Sequence, residues 1–258
     1  FSNYYPSLGL TRHQFLGLGR TKPEDTNGHF CIAILAMRLA NRTNGVSQLH
    51  GQVARHMWSH VWPTRSDDET PITHITNGVH IPTWMGPEVA AVLRSRIGSR
   101  FERELLESDF EAAVAAIPDA DIWAAHSAQK RRLLMFARRR LLEQFARHGR
   151  SPDELRALQD VLDPDILTVG FARRFATYKR AALVFRDLDR LRGILNDPSR
   201  PVQLVFAGKA HPADRPGQGL IQRIFQTTTS PEFGNRVVFL EYYNIQIARH
   251  MVQGVDLW

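Results

Sequence analysis

The most informative segment of the chain is ILTVGFARRFATYKR, at positions 166–180. Its first part is a short apolar run, which predicts a buried strand over Ile166–Phe171. Leucines then recur at helical spacing, which predicts a helix over Tyr178–Leu195. A strand that passes through a short turn into a helix is the repeating unit of α/β proteins. The stretch therefore predicts the start of a parallel sheet whose strands are joined by helices.

The same alternation continues to residue 258. Strands are predicted over Val202–Phe206 and Val237–Leu240, and helices over Leu220–Gln226 and Ile245–Val252. Residues 255–258 have the pattern of a further strand. Strands that alternate with helices predict parallel pairing with right-handed crossovers.

The residues before position 165 have mainly helical patterns. Apolar residues at helical spacing predict a helix over residues 29–41. A second helix is predicted after the Asn44-Gly45 turn, and its apolar face consists of Val46, Leu49, Val53 and Met57.

A strand-and-loop segment at Pro71–Trp84 separates these helices from a second helical region. That region covers residues 88–149, with a break near Pro118. Ser151 and Glu154 are spaced as a capping box, with a proline directly after the serine, which predicts the start of another helix.

A cluster of cations lies between the first predicted strand and its helix. Arg173, Arg174 and Lys179 fall in this turn, with Tyr178 beside the lysine. In an α/β sheet, ligands bind in the crevice at the carboxyl ends of the strands, and a helix N-terminus there attracts anions. Arginine binds phosphate oxygens in pairs, whereas lysine acts as a point charge. The turn therefore predicts a phosphate site; a basic turn that meets solvent alone is the alternative.

Composition limits the class of protein. The chain has 258 residues, of which 43% are hydrophobic and 23% charged, as in ordinary globular domains. A single cysteine excludes an internal disulfide. No apolar run approaches the roughly 20 residues of a membrane-spanning helix, so we predict no membrane partner.

The net charge of +7 raises nucleic-acid binding as an alternative function. Much of the charge lies in the helical segment Lys130–Arg150, where apolar residues occupy the opposite face. We interpret its arginines as a solvated basic face, because no zinc-finger, basic-zipper or RNA-recognition pattern accompanies them.

Two histidines have metal-ligand spacing. His56 and His60 lie four residues apart on a predicted helix, but Met57 stands where the zincin pattern needs glutamate. No metal site is therefore predicted.

Five segments together resemble the α-glucan phosphorylases, the family of glycogen, starch and maltodextrin phosphorylases, and most closely their shorter bacterial branch. The first is the basic turn at residues 169–180, which resembles the family's phosphate-binding loop. The others occur in the family's order and are NGVSQLHG at 44–51, TNGVHIPTW at 76–84, FAGKAHP at 206–212 and VFLEYY at 238–243.

The resemblance implies an α/β fold of the two-lobed glycosyltransferase type known as GT-B, present here in part. Residues 1–80 would form the end of the N-terminal lobe, on the sugar side of the cleft. Residues 81–258 would start the C-terminal lobe, with a helical lead-in at 81–164 and the first half of a doubly wound sheet at 165–258. The chain is thus expected to be an internal fragment of a longer enzyme and to be inactive by itself.

The resemblance also implies an activity. Members of the family transfer the terminal α-1,4-linked glucosyl unit of glycogen, starch or maltodextrin to inorganic phosphate, which gives glucose 1-phosphate. Their cofactor is pyridoxal 5′-phosphate, and the lysine that holds it is expected beyond residue 258. The expected partners are an α-1,4-glucan and inorganic phosphate in the cytoplasm, with no nucleic acid and no membrane; a homo-oligomer is left open.

Motif by motif, the resemblance assigns roles to individual residues. Arg174 would bind the substrate phosphate, and Lys179 would lie between that phosphate and the cofactor phosphate, which makes these two the expected catalytic residues. Arg173 would lie near the cofactor phosphate. Tyr243 would contact the cofactor, and Lys209 would line the cleft near it.

Two asparagines are the expected sugar-binding residues. Asn77 would bond the 6-hydroxyl of the glucosyl unit. Asn41 stands where many relatives have a histidine that helps to hold the sugar, and an asparagine can still bond a hydroxyl. Tyr242 replaces a usual asparagine, and Ala176 and Thr177 replace a His-Glu pair of the longer relatives. The last two changes fit the shorter branch.

Two alternatives to a phosphorylase are left open by the sequence. A glycogen or starch synthase, which uses a sugar nucleotide, also needs a basic loop at the edge of its sheet, but it would not combine the contexts around Asn77 and Lys179. A non-catalytic module could bind nucleic acid through residues 130–150, and a strong salt dependence of its affinity would support that reading.

Overall fold

The chain forms two compact units, Phe1–Val79 and His80–Trp258. Each unit contains a parallel sheet of its own. No helix in the described part of the chain is both long enough and apolar enough to cross a bilayer. The computed structural model describes residues 2–98, 101, 108–233 and 236–258.

The first unit is built from short helices and a two-stranded sheet. Its elements are α1 (Arg12–Leu18), α2 (Ile32–Leu39), β1 (Thr43–Gly45), α3 (Gln48–Trp58) and β2 (Ile72–His74). The two strands pair in parallel, with Thr43 opposite Ile72. The helices predicted over residues 29–41 and after Asn44-Gly45 are therefore confirmed, although α2 is shorter than predicted. The turn predicted at Asn44-Gly45 is wrong, because both residues pair with β2 as part of β1.

Small residues bring α3 onto this sheet. The buried residues of α3 are Gly51 and Ala54. Gly51 lies so close to β2 that an added Cβ would come within 3.0 Å of the His74 Cβ. The apolar residues that predicted the helix, such as Leu49 and Val53, are instead exposed. Apolar spacing thus located the helix, whereas its small residues provide the close approach to the strands.

The second unit begins with a helical region. Its helices are α4 (Ile81–Trp84), α5 (Pro87–Ile97), α6 (Ser108–Ala115), α7 (Asp119–Arg147) and α8 (Pro152–Ala157). The predicted break near Pro118 is confirmed, because α6 ends before it and α7 begins after it. The part of the prediction at residues 99, 100 and 102–107 lies outside the described residues.

The predicted capping box at the start of α8 is confirmed. The Glu154 N–H donates to the Ser151 Oγ at 3.3 Å, and the Ser151 N–H donates to the Glu154 Oε2 at 2.8 Å. Two backbone donors that the helix itself cannot satisfy thus find partners.

The basic residues of α7 form a solvated face only in part, which corrects the sequence interpretation. Arg138 donates to the carbonyls of Val161 and Leu162 at 2.8 and 2.7 Å. Arg132 forms a two-point ion pair with Glu88, at 3.0 and 2.7 Å. A guanidinium presents several donors in one plane, so these arginines tie α7 to neighbouring segments. The sequence spacing showed their side of the helix but not the acceptors packed against it.

The sheet predicted from residues 166–180 and the segments after them is present. Its elements are β3 (Leu167–Ala172), α9 (Leu188–Leu195), β4 (Val202–Ala207), α10 (Arg215–Thr228), β5 (Val237–Leu240) and α11 (Ile245–Gly254). The strands are parallel and lie in the order β3-β4-β5. All three strands lie where the sequence predicted them, whereas α10 begins well before its predicted start.

Helices cover both faces of this sheet. On one face, Val205 of β4 packs in a buried cluster with residues of α7 and α11. On the other face, the next residue, Phe206, packs in a second cluster with residues of α9 and α10. Successive residues of a strand point to opposite faces, so β4 serves both clusters. This is the doubly wound α/β arrangement that the sequence predicted.

The segment after α11 adds to the other edge of β3. Leu257 forms a parallel bridge with Val169, and the Gly170 N–H donates to the Leu257 carbonyl at 2.8 Å. Gly170 lies so close to Val255 that an added Cβ would meet its side chain at 2.7 Å. The strand that follows β3 in the chain, β4, thus pairs with one edge of β3, and the segment after α11 pairs with its other edge. In doubly wound folds, ligands bind at the carboxyl ends of the strands at such a switch point.

Asp256 fastens this segment to β3 and α7. One of its carboxylate oxygens accepts from the Lys130 Nζ at 2.6 Å and from the Thr168 N–H at 2.7 Å, and the other lies 2.7 Å from the His126 Nε2. Burial raises the pKa of the Asp256 carboxyl, but hydrogen bonds from Lys130, His126 and the Thr168 amide outweigh burial, so the pKa lies below its usual value. The carboxylate is therefore ionised at neutral pH.

The helix predicted over Tyr178–Leu195 is wrong in its first half. Thr177–Lys179 and Leu183–Phe185 form separate 3₁₀ turns, and α9 begins only at Leu188. The basic turn after β3 therefore does not lead directly into a helix N-terminus. The helix-dipole argument for an anion site at this position does not apply.

Local conformation explains this break. Arg180 adopts a left-handed conformation with a φ of 54°, which ends the first 3₁₀ turn. The Asp187 side chain then caps α9 by accepting from the Arg190 N–H at 2.9 Å. The helical spacing of leucines therefore belongs to the residues from Leu188 onward and does not extend back to Tyr178.

Candidate phosphate-binding site

Three neighbouring loops lie at the carboxyl edge of the sheet. The ends of β3, β4 and β5 are paired in register. Their last residues are followed by Arg173, Gly208 and Glu241. Because the strands are parallel, all three loops lie at the edge where α/β folds bind ligands. The topology thereby brings the predicted residues Arg173, Lys209 and Tyr243 to one edge.

Phe175 anchors the basic loop after β3. Its side chain is fully buried, and its ring centre lies 5.7 Å from that of Phe171. Its N–H donates to the Lys209 carbonyl at 2.9 Å, which joins the loop after β3 to the loop after β4. Arg173 and Arg174 directly precede it and are exposed. The loop thus presents two arginines from a backbone that is fixed in the core.

Gly208 brings the first two loops into contact. Its φ of 148° is a conformation that side chains rarely allow. A Cβ at this position would lie 2.4 Å from the Arg173 carbonyl oxygen and 2.7 Å from the Phe175 ring. Glycine is therefore required both by its conformation and by the space between the loops.

Lys179 lies farther along the basic loop. It is partly buried at the end of the 3₁₀ turn Thr177–Lys179. Its Nζ lies 5.4 Å from the centre of the Tyr178 ring, which is within cation–π range. The structure keeps Lys179 in the same loop as Arg173 and Arg174.

The loop after β5 carries Tyr243. This side chain is half-buried and packs against the cluster shared by the sheet, α7 and α11. Tyr242 adopts a φ of 53°, and the Arg147 guanidinium lies 4.8 Å above its ring centre. Asn244 then caps α11 by accepting from the Ile247 N–H at 3.0 Å. The loop is therefore a tight turn between two ordered elements.

The cations at this edge are available to bind an anion. Within the described ranges, the side chains of Arg173, Arg174, Lys179 and Lys209 form no ion pair with an acidic residue. Glu241, an acid at the same edge, is engaged elsewhere, by Arg147 at 3.5 Å and His148 at 3.2 Å. Unpaired cations at the carboxyl edge of a doubly wound sheet suit the binding of phosphate.

The two predicted sugar-binding residues lie in the first unit. Asn41 is exposed and precedes β1. Asn77 is exposed in the loop after β2, where its N–H donates to the Val46 carbonyl at 3.0 Å. The exposed side chain of Asn77 therefore stands on an ordered backbone.

His56 and His60 do not lie on one helix as predicted, because α3 ends at Trp58 and His60 falls in the 3₁₀ turn Ser59–Val61. The His56 Nδ1 lies 2.6 Å from the Asp67 Oδ2. Across the residues that the structure describes, no group of three or more His, Cys, Asp and Glu side chains is placed to hold a metal ion.

Sequence reasoning located one residue that shapes this edge and missed another. Gly208-Lys209 stands out in the sequence as a possible anion loop after a buried strand, but the contact of Gly208 with Arg173 depends on the fold. Gln144 of α7 is 2% exposed and bonds the backbone on both sides of Leu240. The sequence could have indicated the role of Gln144, because this polar residue lies on the apolar face of the helix that contains Leu141.

Comparison with known proteins identifies the family. The family model described as carbohydrate phosphorylase matches residues 20–258. The chain belongs to this family. The resemblance drawn from the five segments is therefore confirmed, and it favours a phosphorylase over the alternative of a sugar-nucleotide-dependent synthase.

Several carbohydrate phosphorylases are similar to the chain. It is 41% identical to glycogen phosphorylase from Aquifex aeolicus, over 97% of the chain and 36% of that protein. It is 39% identical to maltodextrin phosphorylase from Thermococcus litoralis, over 97% of the chain and 29% of that protein. It is also 39% identical to glycogen phosphorylase from Mycobacterium tuberculosis, with 97% and 28% covered. The chain thus spans about a third of the length of these relatives.

Proposed function

We propose that the 258-residue chain is part of an α-glucan phosphorylase. Such an enzyme transfers the terminal α-1,4-linked glucosyl unit of glycogen, starch or maltodextrin to inorganic phosphate. The observation that carries the proposal is a set of cations at the carboxyl edge of the sheet, which form no ion pair with any acid that the structure describes: Arg173, Arg174 and Lys209. Membership of the carbohydrate phosphorylase family supports it. We further propose that residues 1–80 belong to the N-terminal lobe and 81–258 to the C-terminal lobe, and that the enzyme acts in the cytoplasm.

The donor set fits two phosphate groups. Unit charges about 4 Å apart interact by about 4 kcal/mol at an effective dielectric near 20, and phosphates carry more than one charge. Cations must offset this repulsion. Arg174 can bind two oxygens of the substrate phosphate through its planar donors, and Lys179 adds a point charge in the same loop. Both residues would stabilise the negative charge that develops in the transition state of glucosyl transfer.

The residues toward the cofactor also suit a phosphate. Arg173 and Lys209 are exposed cations on loops that touch through Gly208, and a Cβ there would fill the space between the loops. These two residues would hold the phosphate of pyridoxal 5′-phosphate, and Tyr243 would contact its ring. When bound, this cofactor supplies a phosphate that takes part in proton transfer.

Product formation tests the proposal. The full-length protein that contains these residues is expected to release glucose 1-phosphate from a maltodextrin when inorganic phosphate is present, and to release none without it. Glucosyl transfer that requires a sugar nucleotide instead of phosphate would establish the synthase alternative.

Asn77→Ala is expected to weaken the use of a normal glucan by about two- to tenfold, because one hydrogen bond to a sugar hydroxyl is worth about 0.5–1.5 kcal/mol. The measurement is kcat/KM for maltodextrins that end in glucose or in 6-deoxyglucose. The loss should shrink for the 6-deoxy substrate, since its bond is absent from both proteins. Asn27→Ala, at another exposed asparagine of the first unit, is the control. Equal losses on both substrates would mean that Asn77 has a structural role.

A further inference from the structure

Gln144 is a buried polar side chain on the apolar face of α7. It is 2% exposed, and Leu141, one helical turn earlier, is equally buried. A buried amide that lacks hydrogen bonds costs free energy, so its partners show what it is for. The candidate site does not use Gln144 directly, because the described contacts of its amide are with backbone.

The Gln144 amide pairs with β5 as a peptide of a neighbouring strand would. Its Nε2 donates to the Phe239 carbonyl at 3.2 Å, and its Oε1 accepts from the Glu241 N–H at 3.1 Å. In a parallel sheet, one residue bonds the backbone groups on both sides of the residue opposite. β5 is the last strand in the order β3-β4-β5, so its outer edge offers these groups. The Gln144 side chain thus satisfies the backbone groups on the outer edge of β5 where the loop after β5 begins.

The last turn of α7 holds the rest of this loop as well. The Glu241 carboxylate lies 3.2 Å from the His148 Nε2 and 3.5 Å from the Arg147 guanidinium. The same guanidinium lies over the ring of Tyr242, which has a φ of 53°. A non-glycine residue in this conformation costs about 1–3 kcal/mol and persists only where its surroundings determine it. The contacts of Arg147 with Tyr242 and Glu241 hold Tyr242 in this conformation.

We propose that Gln144 is a positioning residue that sets the place of Tyr243 at the candidate site. Gln144 fixes the backbone from Phe239 to Glu241. The turn from Glu241 through Tyr242 then sets the position of Tyr243 at the candidate site. The inference rests on the proposed function, in which Tyr243 contacts pyridoxal 5′-phosphate. Without the amide, the Phe239 carbonyl and the Glu241 N–H lose their partners, and the turn relaxes.

The test compares two buried glutamines in the full-length protein. Gln144→Leu removes the amide at the carboxyl edge of the sheet. Gln203→Leu removes an equally buried amide at the opposite edge, where Gln203 bonds Asp163 and Thr168 at 2.7–2.9 Å. Arg147→Ala, at an exposed residue, keeps the test open if Gln144→Leu does not fold.

Two quantities are measured for each variant. The first is the affinity of the cofactor-free protein for pyridoxal 5′-phosphate, followed by the absorbance of the cofactor. We expect Gln144→Leu to weaken it by up to about tenfold, the size of the effect of losing one hydrogen bond, and Arg147→Ala to weaken it less. The second is hydrogen exchange at the Glu241 amide, which should lose protection in Gln144→Leu and keep it in Gln203→Leu.

The outcomes separate the inference from the proposed function. If the wild-type protein does not bind pyridoxal 5′-phosphate, the proposed function is overturned, and the role for Tyr243 with it. If the wild type binds but Gln144→Leu and Gln203→Leu weaken binding equally, Gln144 is merely part of the core. Loss of protection at Glu241 with unchanged cofactor affinity would also overturn the positioning role.

Discussion

Alanine in place of Arg174 is expected to lower kcat/KM for phosphorolysis by about 100- to 1,000-fold in the full-length protein. Lys179→Ala is expected to act in the same range. The side-chain charges of Arg174 and Lys179 are in place before the substrate binds, so they need no reorganisation during the reaction. In the alanine variants, solvent replaces these charges poorly. Both cations lie in the loop that Phe175 anchors, so their removal leaves the backbone bond to Lys209 intact.

The measurement is the initial rate of glucose 1-phosphate formation over a range of phosphate concentrations. Arg131→Ala is the matched control, because Arg131 is an exposed arginine on α7 beside Lys130, away from the carboxyl edge. It should leave the rate unchanged. Near-normal phosphorolysis by Arg174→Ala or Lys179→Ala would remove these residues from the catalytic site.

Asp256→Asn is expected to cost about 3 kcal/mol of unfolding free energy at pH 7, because it removes one partner of a buried ion pair. The Lys130 side chain is 9% exposed and would keep its charge without the carboxylate. The asparagine retains an oxygen for the Thr168 N–H but not the negative charge. Denaturant unfolding of the full-length protein and its variant measures the difference, with exposed Asp165→Asn as the control.

The sign of the pH dependence follows from the lowered pKa of Asp256. A carboxyl whose folded pKa lies below its unfolded value adds stability above the unfolded pKa, and this stability is lost as the pH falls through the folded pKa. The usual pKa of this carboxyl is 3.8. The difference between wild type and Asp256→Asn should therefore be full at pH 7 and shrink below about pH 4. A difference that grows on acidification would contradict the assignment.

The strands of the second unit could be predicted because they are buried on both faces. Leu204–Ala207 and Val237–Leu240 are continuous apolar runs, which is typical of parallel strands between two layers of helices. The alternation with helices predicted that the strands pair in parallel, but it did not give their order. The bond between the Phe175 N–H and the Lys209 carbonyl could not be predicted, since it joins residues far apart in the sequence.

The first half of the helix over Tyr178–Leu195 failed for a physical reason. Leucine spacing reports which residues face a core, and the spacing is clear only from Leu188 onward. Before that point, Arg180 takes a left-handed conformation that breaks the helical hydrogen-bond pattern. The cations Arg173 and Arg174 lie at the edge of the sheet where the sequence predicted them, and their binding of phosphate stays a prediction. One of the reasons given for that prediction, the helix dipole, was wrong.

Buried polar partners were the other limit of sequence reasoning. The polar Gln144 and the cationic Arg138 stand out against the apolar pattern of α7, so their unusual positions were visible. What they bond lies on other segments, on β5 for Gln144 and at Val161 and Leu162 for Arg138. A helical pattern fixes the direction of a side chain and leaves its partner undetermined.

The contact at Gly208 determines when the conformational entropy of the site is lost. Because the Arg173 carbonyl and the Phe175 ring lie against this glycine, the two cationic loops have their relative spacing as soon as the sheet forms. Ordering a residue's backbone costs about 1–2 kcal/mol, and here that cost falls on folding and not on the binding of an anion. A phosphate bound there, as we propose, would immobilise only the ends of arginine and lysine side chains, so more of its electrostatic attraction would contribute to affinity.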